Sequence, residues 1–414
     1  MPAAVVRPAE QGAPSPRSLR GLDWFSFCLA DIQTGFGPFV AVYLTANSWT
    51  QVDIGLILTA GGLIALAGQM PGGALVDAVR SARIVIGIAV VAICLSALAI
   101  AVWPIFPIVF GARALHAAAS CILGPAIAAI SLGLVGYAAL GERIGRNARF
   151  ASIGGGIAAA TMGACGHFIS TQAVFILTAI MVAPALLALV QIRASDIALR
   201  VGRARASEPD STPSTIGFRG LLCNRRLLIF AGCLVLFQLA NAAMLPVMGS
   251  ILTMRSGEWA ATVVAACMVV PQFIVAGFAP WIGRQAQLRG RRPLLVVCFL
   301  ALALRAVSFA FVTNPYLIVA VQVLDGVSAV ILGIVFPLVV ADITRDTGRF
   351  NLALGIVGSA VGIGAALSTT LAGYMLDHFG SAITFCSMAG VAAAGMLLAW
   401  LVMPETRSEV EPAT

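Results

Sequence analysis

Five ionisable side chains, Asp31, Arg113, His116, Arg305 and Asp325, fall well inside runs of apolar residues. If those runs cross a bilayer, a charge at the centre costs about 2.5–3.5 kcal/mol, so each group must face a cavity, a partner or an ion pathway. A carboxylate, a guanidinium and an imidazole can accept, hold and pass a proton between them. Arg113 and His116 are three residues apart and share one helical face. Histidine titrates nearest neutrality and suits a relay; a packed, hydrogen-bonded histidine is the plainer alternative. Arg305 and Asp325 fall at similar depth on consecutive runs, and a structural ion pair would leave neither charge isolated. A substrate contact is the other reading of that pair.

The first apolar run must present Asp31. At helical spacing, Trp24, Phe27, Cys28, Asp31, Thr34, Gly35 and Pro38 lie along one stripe. Pro38 cannot donate to the Thr34 carbonyl and clashes with it, so a kink is expected there. Asp31 snorkelling to the interface beside a kink that only serves packing is the alternative. The seventh run repeats the plan with Phe237, Gln238, Asn241 and a second kink at Pro246, but its polar groups are neutral. At 1.5 Å per residue, Asp31 and Arg113 stand roughly 10–15 Å apart in depth; His116, nearer in depth, is placed to bridge them. The proton-coupling set read from these residues is Asp31, Arg113 and His116. The expected substrate cavity is Trp24, Phe27, Thr34, Phe237, Gln238, Asn241, Gln322 and Asp325.

Composition supports the membrane reading. The chain has 414 residues, 60% hydrophobic and 10% charged, with a mean hydropathy of +0.99, whereas soluble domains carry about 25% charged residues. Twelve spans are expected, at 24–44, 52–76, 84–103, 106–134, 150–170, 172–192, 227–248, 259–282, 293–312, 315–342, 350–375 and 382–403. The long alternating segments of a membrane β-barrel are absent. Residues 1–20 hold four prolines and no apolar core, so they read as a polar tail rather than a signal peptide. All 25 basic residues are arginine. Every one except Arg113, Arg255 and Arg305 falls in the tails or the even-numbered loops, which puts both termini in the cytoplasm by the positive-inside bias. The net charge of +8 therefore reports topology rather than a nucleic-acid partner. The nine cysteines show no ligand spacing, so small apolar packing is expected and no metal site; a soft-metalloid substrate would be their sharper use.

The odd residues recur at one offset. Pro38 and Pro246, Gly73 and Gly283, and the trio Arg113, His116, Gly124 with Gln322, Asp325, Gly333 are all 208–210 positions apart. Such duplication is typical of carriers. The expected organisation is a cytoplasmic tail 1–20, a six-helix bundle 21–192, a cytoplasmic linker 193–226, a second six-helix bundle 227–403 and a tail 404–414.

The loop after the second span runs Gly73-Ala-Leu-Val-Asp77-Ala-Val-Arg80-Ser-Ala-Arg83, and its twin runs Gly283-Arg-Gln-Ala-Gln287-Leu-Arg-Gly290-Arg291. Here the chain resembles the major facilitator superfamily, whose signature at this place is G-x-x-x-D-x-x-G-R-x-R. Gly73, Asp77 and Arg83 match in the first copy; Gly283, Gly290 and Arg291 match in the second, where Gln287 replaces the acid. The resemblance, from about Leu22 to Met403, implies an all-α integral membrane fold: two six-helix bundles related by a pseudo-twofold axis. It implies that these six residues form a gating loop that latches one side shut, lopsidedly here because the second acid is missing. A boundary-marking role for Asp77 and Arg83 is the plainer alternative. The family's helix-four arginine, associated with proton coupling in antiporters, matches Arg113; the glycine-proline pair of many drug antiporters is absent at Gly163-Ala-Cys-Gly166.

The function expected is alternating-access transport of a small organic solute across a bacterial inner membrane, proton-coupled and outward. An importer of a small anion held by Arg113 is the nearest rival. A polytopic enzyme would need a nucleophile, metal or phosphate-binding motif, and none is present; a non-transporting receptor is the remaining class. The expected partners are solute, protons and lipid, with no cofactor and no nucleic acid, and the expected state is a monomer.

Overall fold

The computed structural model describes residues 14–34, 38–79, 81–197, 218–345 and 347–406; the expected tail up to residue 13, most of the linker and residues 407–414 lie outside it. Among the described residues the chain is helical, without strands. In order, the helices are α1 (Pro16–Thr34), α2 (Pro38–Ala46), α3 (Gln51–Ala78), α4 (Ala82–Val102), α5 (Phe106–Phe168), α6 (Thr171–Gln191), α7 (Phe218–Leu222), α8 (Arg225–Asn241), α9 (Met244–Arg289), α10 (Arg292–Phe311), α11 (Pro315–Ile343) and α12 (Phe350–Leu401). In hydrocarbon a helix satisfies its own backbone, which is why these apolar runs take this form. Their ends are capped by short polar side chains: Thr50, Ser170, Asn224 and Asn314 each accept from amides of the first turn that follows.

Among the described residues, nine helical stretches are long and apolar enough to cross a membrane. Two of them, at 61 and 52 residues, are at least twice the roughly 20 residues a crossing needs. Each doubles back at a glycine of positive φ, Gly136 at 70° and Gly380 at 78°, a backbone conformation that other residues rarely adopt. Ser131 and Asn147 meet across the first turn at 2.8 Å, and Met375 and Ser387 across the second at 3.2 Å. With α1 and α2 counted together as one further crossing, the pattern of the described residues accommodates twelve.

Several expected loops are helical instead. Residues 137–149, 249–258 and 376–379 all lie within helices. In the first case the reason is visible: Arg143 is 4% exposed, held by Asp23 of α1, so this stretch packs rather than loops. In the first span α1 ends at Thr34 and α2 begins at Pro38; residues 35–37, where the kink is expected, lie outside the described residues. The seventh breaks at Ala242–Ala243, next to the carbonyl that Pro246 cannot serve; the proline itself sits in the first turn of α9, where it has no helical bond to lose.

One buried apolar cluster runs from Leu22 to Ile192. Another runs from Leu221 to Met403 and takes in Leu140 and Ile144 of α5. Backbones touch backbones at glycines, and the contacts come in duplicate. A Cβ on Gly154 would fall on the Phe27 carbonyl, as one on Gly364 would on that of Val235. A Cβ on Gly73 would strike the Asn351 carbonyl, and one on Gly283 the Gly141 carbonyl. The Gly355–Gln69 and Gly145–Ala279 approaches form a third such pair. Each partner lies 208 or 210 positions from its counterpart, so the pseudo-twofold relation is written in the packing.

The start of α1 is tied to the end of α6. The Ser15 and Ser18 hydroxyls both donate to Asp196 at 2.6 Å, and they hold its carboxyl below the usual range. A lowered carboxylate favours the folded state above about pH 4 and loses that contribution only as pH falls through its lowered value.

The two kinds of glycine contact separate stability from conformational change. Gly154→Leu, inside one bundle, is expected to lower unfolding stability by about 1–3 kcal/mol. Gly73→Leu, between the bundles, is expected to leave the melting temperature nearly unchanged while exposing the end of α3 to a water-soluble thiol reagent through a cysteine placed at Ala74. Equal melting temperatures for both variants would contradict this division.

Candidate transport site

A cavity of about 460 Å3 opens between the halves. Ala30 and Gln33 of α1, Gln69 of α3, the Gly124–Ser131 stretch and Asn147 of α5 form one side; Gly333, Phe336 and Pro337 of α11 with Leu354 and Gly358 of α12 form the other. Its volume is in the range of roughly 300–1,000 Å3 that holds a small organic ligand. Among the described residues, no ionisable side chain lines it. Its polar groups, Ser26, Gln33, Gln69, Ser131 and Asn147, all belong to the first half, while the second half contributes only apolar surface.

Of the eight residues expected to form the substrate cavity, the seven whose side chains are described do not line this space. Trp24 is 53% exposed and packs edge-on against Phe27 and Phe150 at 5.6 and 6.3 Å. Phe237 is buried in the second core, edge-on to Phe299 at 5.8 Å. Gln238 abuts Gly364. The side chain of Thr34 lies outside the described residues. Gln322 is fully buried, with the Cys267 thiol beside it and its amide oxygen and nitrogen both outside hydrogen-bond geometry. Asn241 and Asp325 both bind Arg305. The reason is depth. On α11 the cavity begins at Gly333, eight residues beyond Asp325 and about 12 Å further along the helix axis.

Arg305 donates to Asp325 at 2.5 Å and to Asn241 at 2.7 Å, and its guanidinium lies 5.4 Å from the Phe309 ring. Arg305 is 2% exposed, so α8, α10 and α11 are joined by a desolvated charge pair that leaves neither partner isolated.

In the first half, Asp31 is 7% exposed, one residue from cavity-lining Ala30. Its Oδ1 is buried without a hydrogen-bond partner. The five ion pairs among the described residues do not include Asp31 with Arg113. The Arg113 guanidinium instead lies against Gly61 of α3. Buried His116 places Nε2 at 3.4 Å from the Ser120 hydroxyl, which stands 3.4 Å from the Gln33 amide oxygen. Positions 113, 116, 120 and 124 share one face of α5, so a polar stripe runs from Arg113 to the cavity wall.

Below the cavity the halves meet. Asp77 accepts from the backbone amides of Asn351 and Leu352 at 3.2 and 2.8 Å and from the Asn351 side chain at 2.7 Å. A carboxylate thus sits at the N-terminus of α12, where the helix dipole favours it by about 0.3–1 kcal/mol. In the second copy, Gln287 donates to the Tyr137 carbonyl at 3.2 Å and accepts from Arg291 at 3.2 Å. Arg291 also pairs with Asp342 at 2.9 Å. Gly290, at φ 94°, lies against Glu405, whose carboxylate accepts from the amides of Arg291 and Arg292. Arg149 donates to the Ala276 carbonyl at 2.7 Å and Arg345 covers the Tyr137 ring. Partly buried Arg83 has no hydrogen bond at Nε.

One network was invisible in the sequence because its arginines read as loop charges. Asp23, 2% exposed, takes Arg143 on one oxygen and Arg146 on both, at 2.7–3.0 Å. Arg143 donates on to Asn147 at 2.9 Å, and Asn147 to Ser131 at 2.8 Å. A chain of buried polar groups therefore ends on two cavity-lining residues. The helical spacing of Arg143, Arg146, Asn147 and Phe150 was the signal available.

Comparison with known proteins fits this architecture. The sequence profile described as Major Facilitator Superfamily matches residues 24–284 and 232–414. MFS-type transporters of two Mycobacterium tuberculosis strains are 38% identical over 398 residues, covering 94% of this chain and 94% of theirs. The proton:xylose symporter XylE, bound to 6-bromo-6-deoxy-D-glucose, superposes with a TM-score of 0.72 at 14% identity, over 94% of this chain and 95% of its own. The human organic anion transporter MFSD10 does so with a TM-score of 0.66 at 14% identity, over 92% and 98%. Two duplicated sets of apolar helices meeting around a central cavity, a matching profile along nearly the whole chain and close relatives of the same kind make this protein a member of the major facilitator superfamily, a secondary transporter of the membrane.

Proposed function

We propose that the protein exports a small organic solute across the bacterial inner membrane in exchange for protons, with the 460 Å3 cavity as the solute site. The observation that carries the coupling is Asp31. A buried carboxylate without an ionic partner among the described residues needs a companion charge, because leaving it alone costs several kcal/mol. A proton supplies that companion at one residue's remove from the cavity wall. His116, Ser120 and Gln33 form the polar stripe along which a proton could be handed toward the same wall. The outward direction rests on the likeness of Asp31 and Arg113 to the acid and arginine of family antiporters. The anion-importing alternative needs a cation at the solute, and among the described residues the cavity presents none.

In this reading the arginine-rich face is cytoplasmic, and the glycine approaches, the Asp77 cap and the Gln287 bond hold it shut. The two bundles, residues 21–192 and 227–403, rock about the cavity. Protonation of Asp31 removes the charge penalty in one state and solute binding favours the other, so each biases the same two-state element.

Three outcomes test this. In proteoliposomes with a pH-sensitive dye inside, Asp31→Asn is expected to abolish solute-driven proton movement while solute exchange at equal concentrations persists; undiminished proton movement would remove Asp31 from the mechanism. Asp77→Asn should weaken closure of the arginine-rich end by about 0.3–1 kcal/mol, read as faster labelling of a cysteine at Ala74. Arg305→Met is expected to cost about 3–5 kcal/mol of stability, and the further change Asp325→Leu to recover most of it. A double variant that folds yet transports nothing would instead assign the pair to transport.

A further inference from the structure

A second cavity, of about 340 Å3, lies between α3 and α12, bounded by Thr59, Gly62 and Leu66 on one helix and by Gly362 and Ala366 on the other. Gln69 and Gly358 line both this space and the central cavity. The partition between them is thin: a Cβ on Gly358 would stand 2.8 Å from the Gln69 amide oxygen, so the end of one flexible side chain closes the neck. Below the neck α3 and α12 are locked backbone to backbone at Gly355–Gln69 and Gly73–Asn351. Above it they part. Among the described residues the walls of the side space are apolar apart from Thr59 and Gln69, and no ionisable group lines either space. Leu63 at its mouth is 61% exposed, as suits a residue facing lipid.

A hydrated polar solute moving along such a route would shed its water against walls that return few hydrogen bonds. A molecule already dissolved in the bilayer sheds none. Inside the central cavity the surface is two-faced: hydrogen-bonding groups on the first half, Phe336, Pro337 and Leu354 on the second. We propose that the central cavity takes a neutral amphiphile, an uncharged hydrogen-bonding head on an apolar body, which reaches it sideways from the bilayer through the gap between α3 and α12. The head lies toward Ser131 and Asn147, and the body against α11 and α12. This deepens the reading of the 460 Å3 cavity as the solute site and rests on it.

The test uses the full-length protein in proteoliposomes and a photoactivatable monoacylglycerol with a diazirine in its acyl chain. Two substitutions enter open space, because a Cβ on Gly62 or on Gly124 meets nothing within 4 Å. Gly62→Trp plugs the side mouth, and Gly124→Leu fills the central cavity. In the wild type, label is expected on α3 and α12 around the gap and on the cavity stretch of α5. Gly62→Trp should cut labelling of that α5 stretch by about tenfold, equivalent to about 1.4 kcal/mol. Gly124→Leu should abolish it while leaving the gap labelled. An analogue with the same chain and a quaternary ammonium head should label the α5 stretch about tenfold less. If Gly124→Leu removes inner labelling and Gly62→Trp does not, the lateral route is wrong although the cavity reading stands. Inner labelling that survives Gly124→Leu overturns the cavity reading itself. Equal labelling by the charged analogue overturns the neutral class, and a wild type without inner label overturns the proposal as a whole.

Discussion

The contact between backbones at duplicated glycines governs this molecule. Helices in lipid gain nothing from burying apolar side chains against one another instead of against acyl chains, so packing at close range must hold them. Where a glycine meets a carbonyl, as at Gly73 with Asn351 or Gly283 with Gly141, the approach leaves no room for a methyl group. Contacts of this kind are made or lost as a whole. They suit a protein that must hold two arrangements and few between them.

Charge is distributed in accordance with that constraint. Within each half, desolvated pairs such as Asp23 with Arg143 and Arg305 with Asp325 join helices that have no need to part. Between the halves the polar ties are lighter: backbone amides to Asp77, an amide to the Tyr137 carbonyl, and an exposed Arg284–Glu142 pair at 2.9 Å. Exposed pairs contribute about 0–1 kcal/mol. Strong bonds lie inside each half and weak ones across the seam, so parting the halves does not require breaking a buried salt bridge.

Hydropathy, arginine placement and the repeat near 209 residues made the fold class legible in the sequence. They report solvent and ancestry, which act on every residue of a span. The site was less legible because a cavity is a difference between two surfaces, and one chain's pattern carries only the sum. Ionisable residues in apolar runs drew attention to Asp325 and Arg305, which satisfy each other, and the stripes of the first and seventh runs to Trp24 and Phe237, which pack elsewhere. The pair Gly124 and Gly333 was visible as a repeat marker, yet it marks the level of the cavity, where small residues leave the space. Asp23 and Arg143 went unnoticed because a polar stretch without proline resembles a loop until the acid on another helix is known.

The reversal at Gly136 spends a single residue on joining the two arms of α5. One arm carries Gly124 and Ser131 on the cavity wall, and the other carries Gly141 and Gly145 at the seam. A hairpin with so little slack behaves as a stiff lever, and Asn147 bonded to Ser131 braces its elbow. Whatever pries the seam open must therefore tilt the chamber's wall in the same stroke, and whatever swells the chamber must lean on the seam.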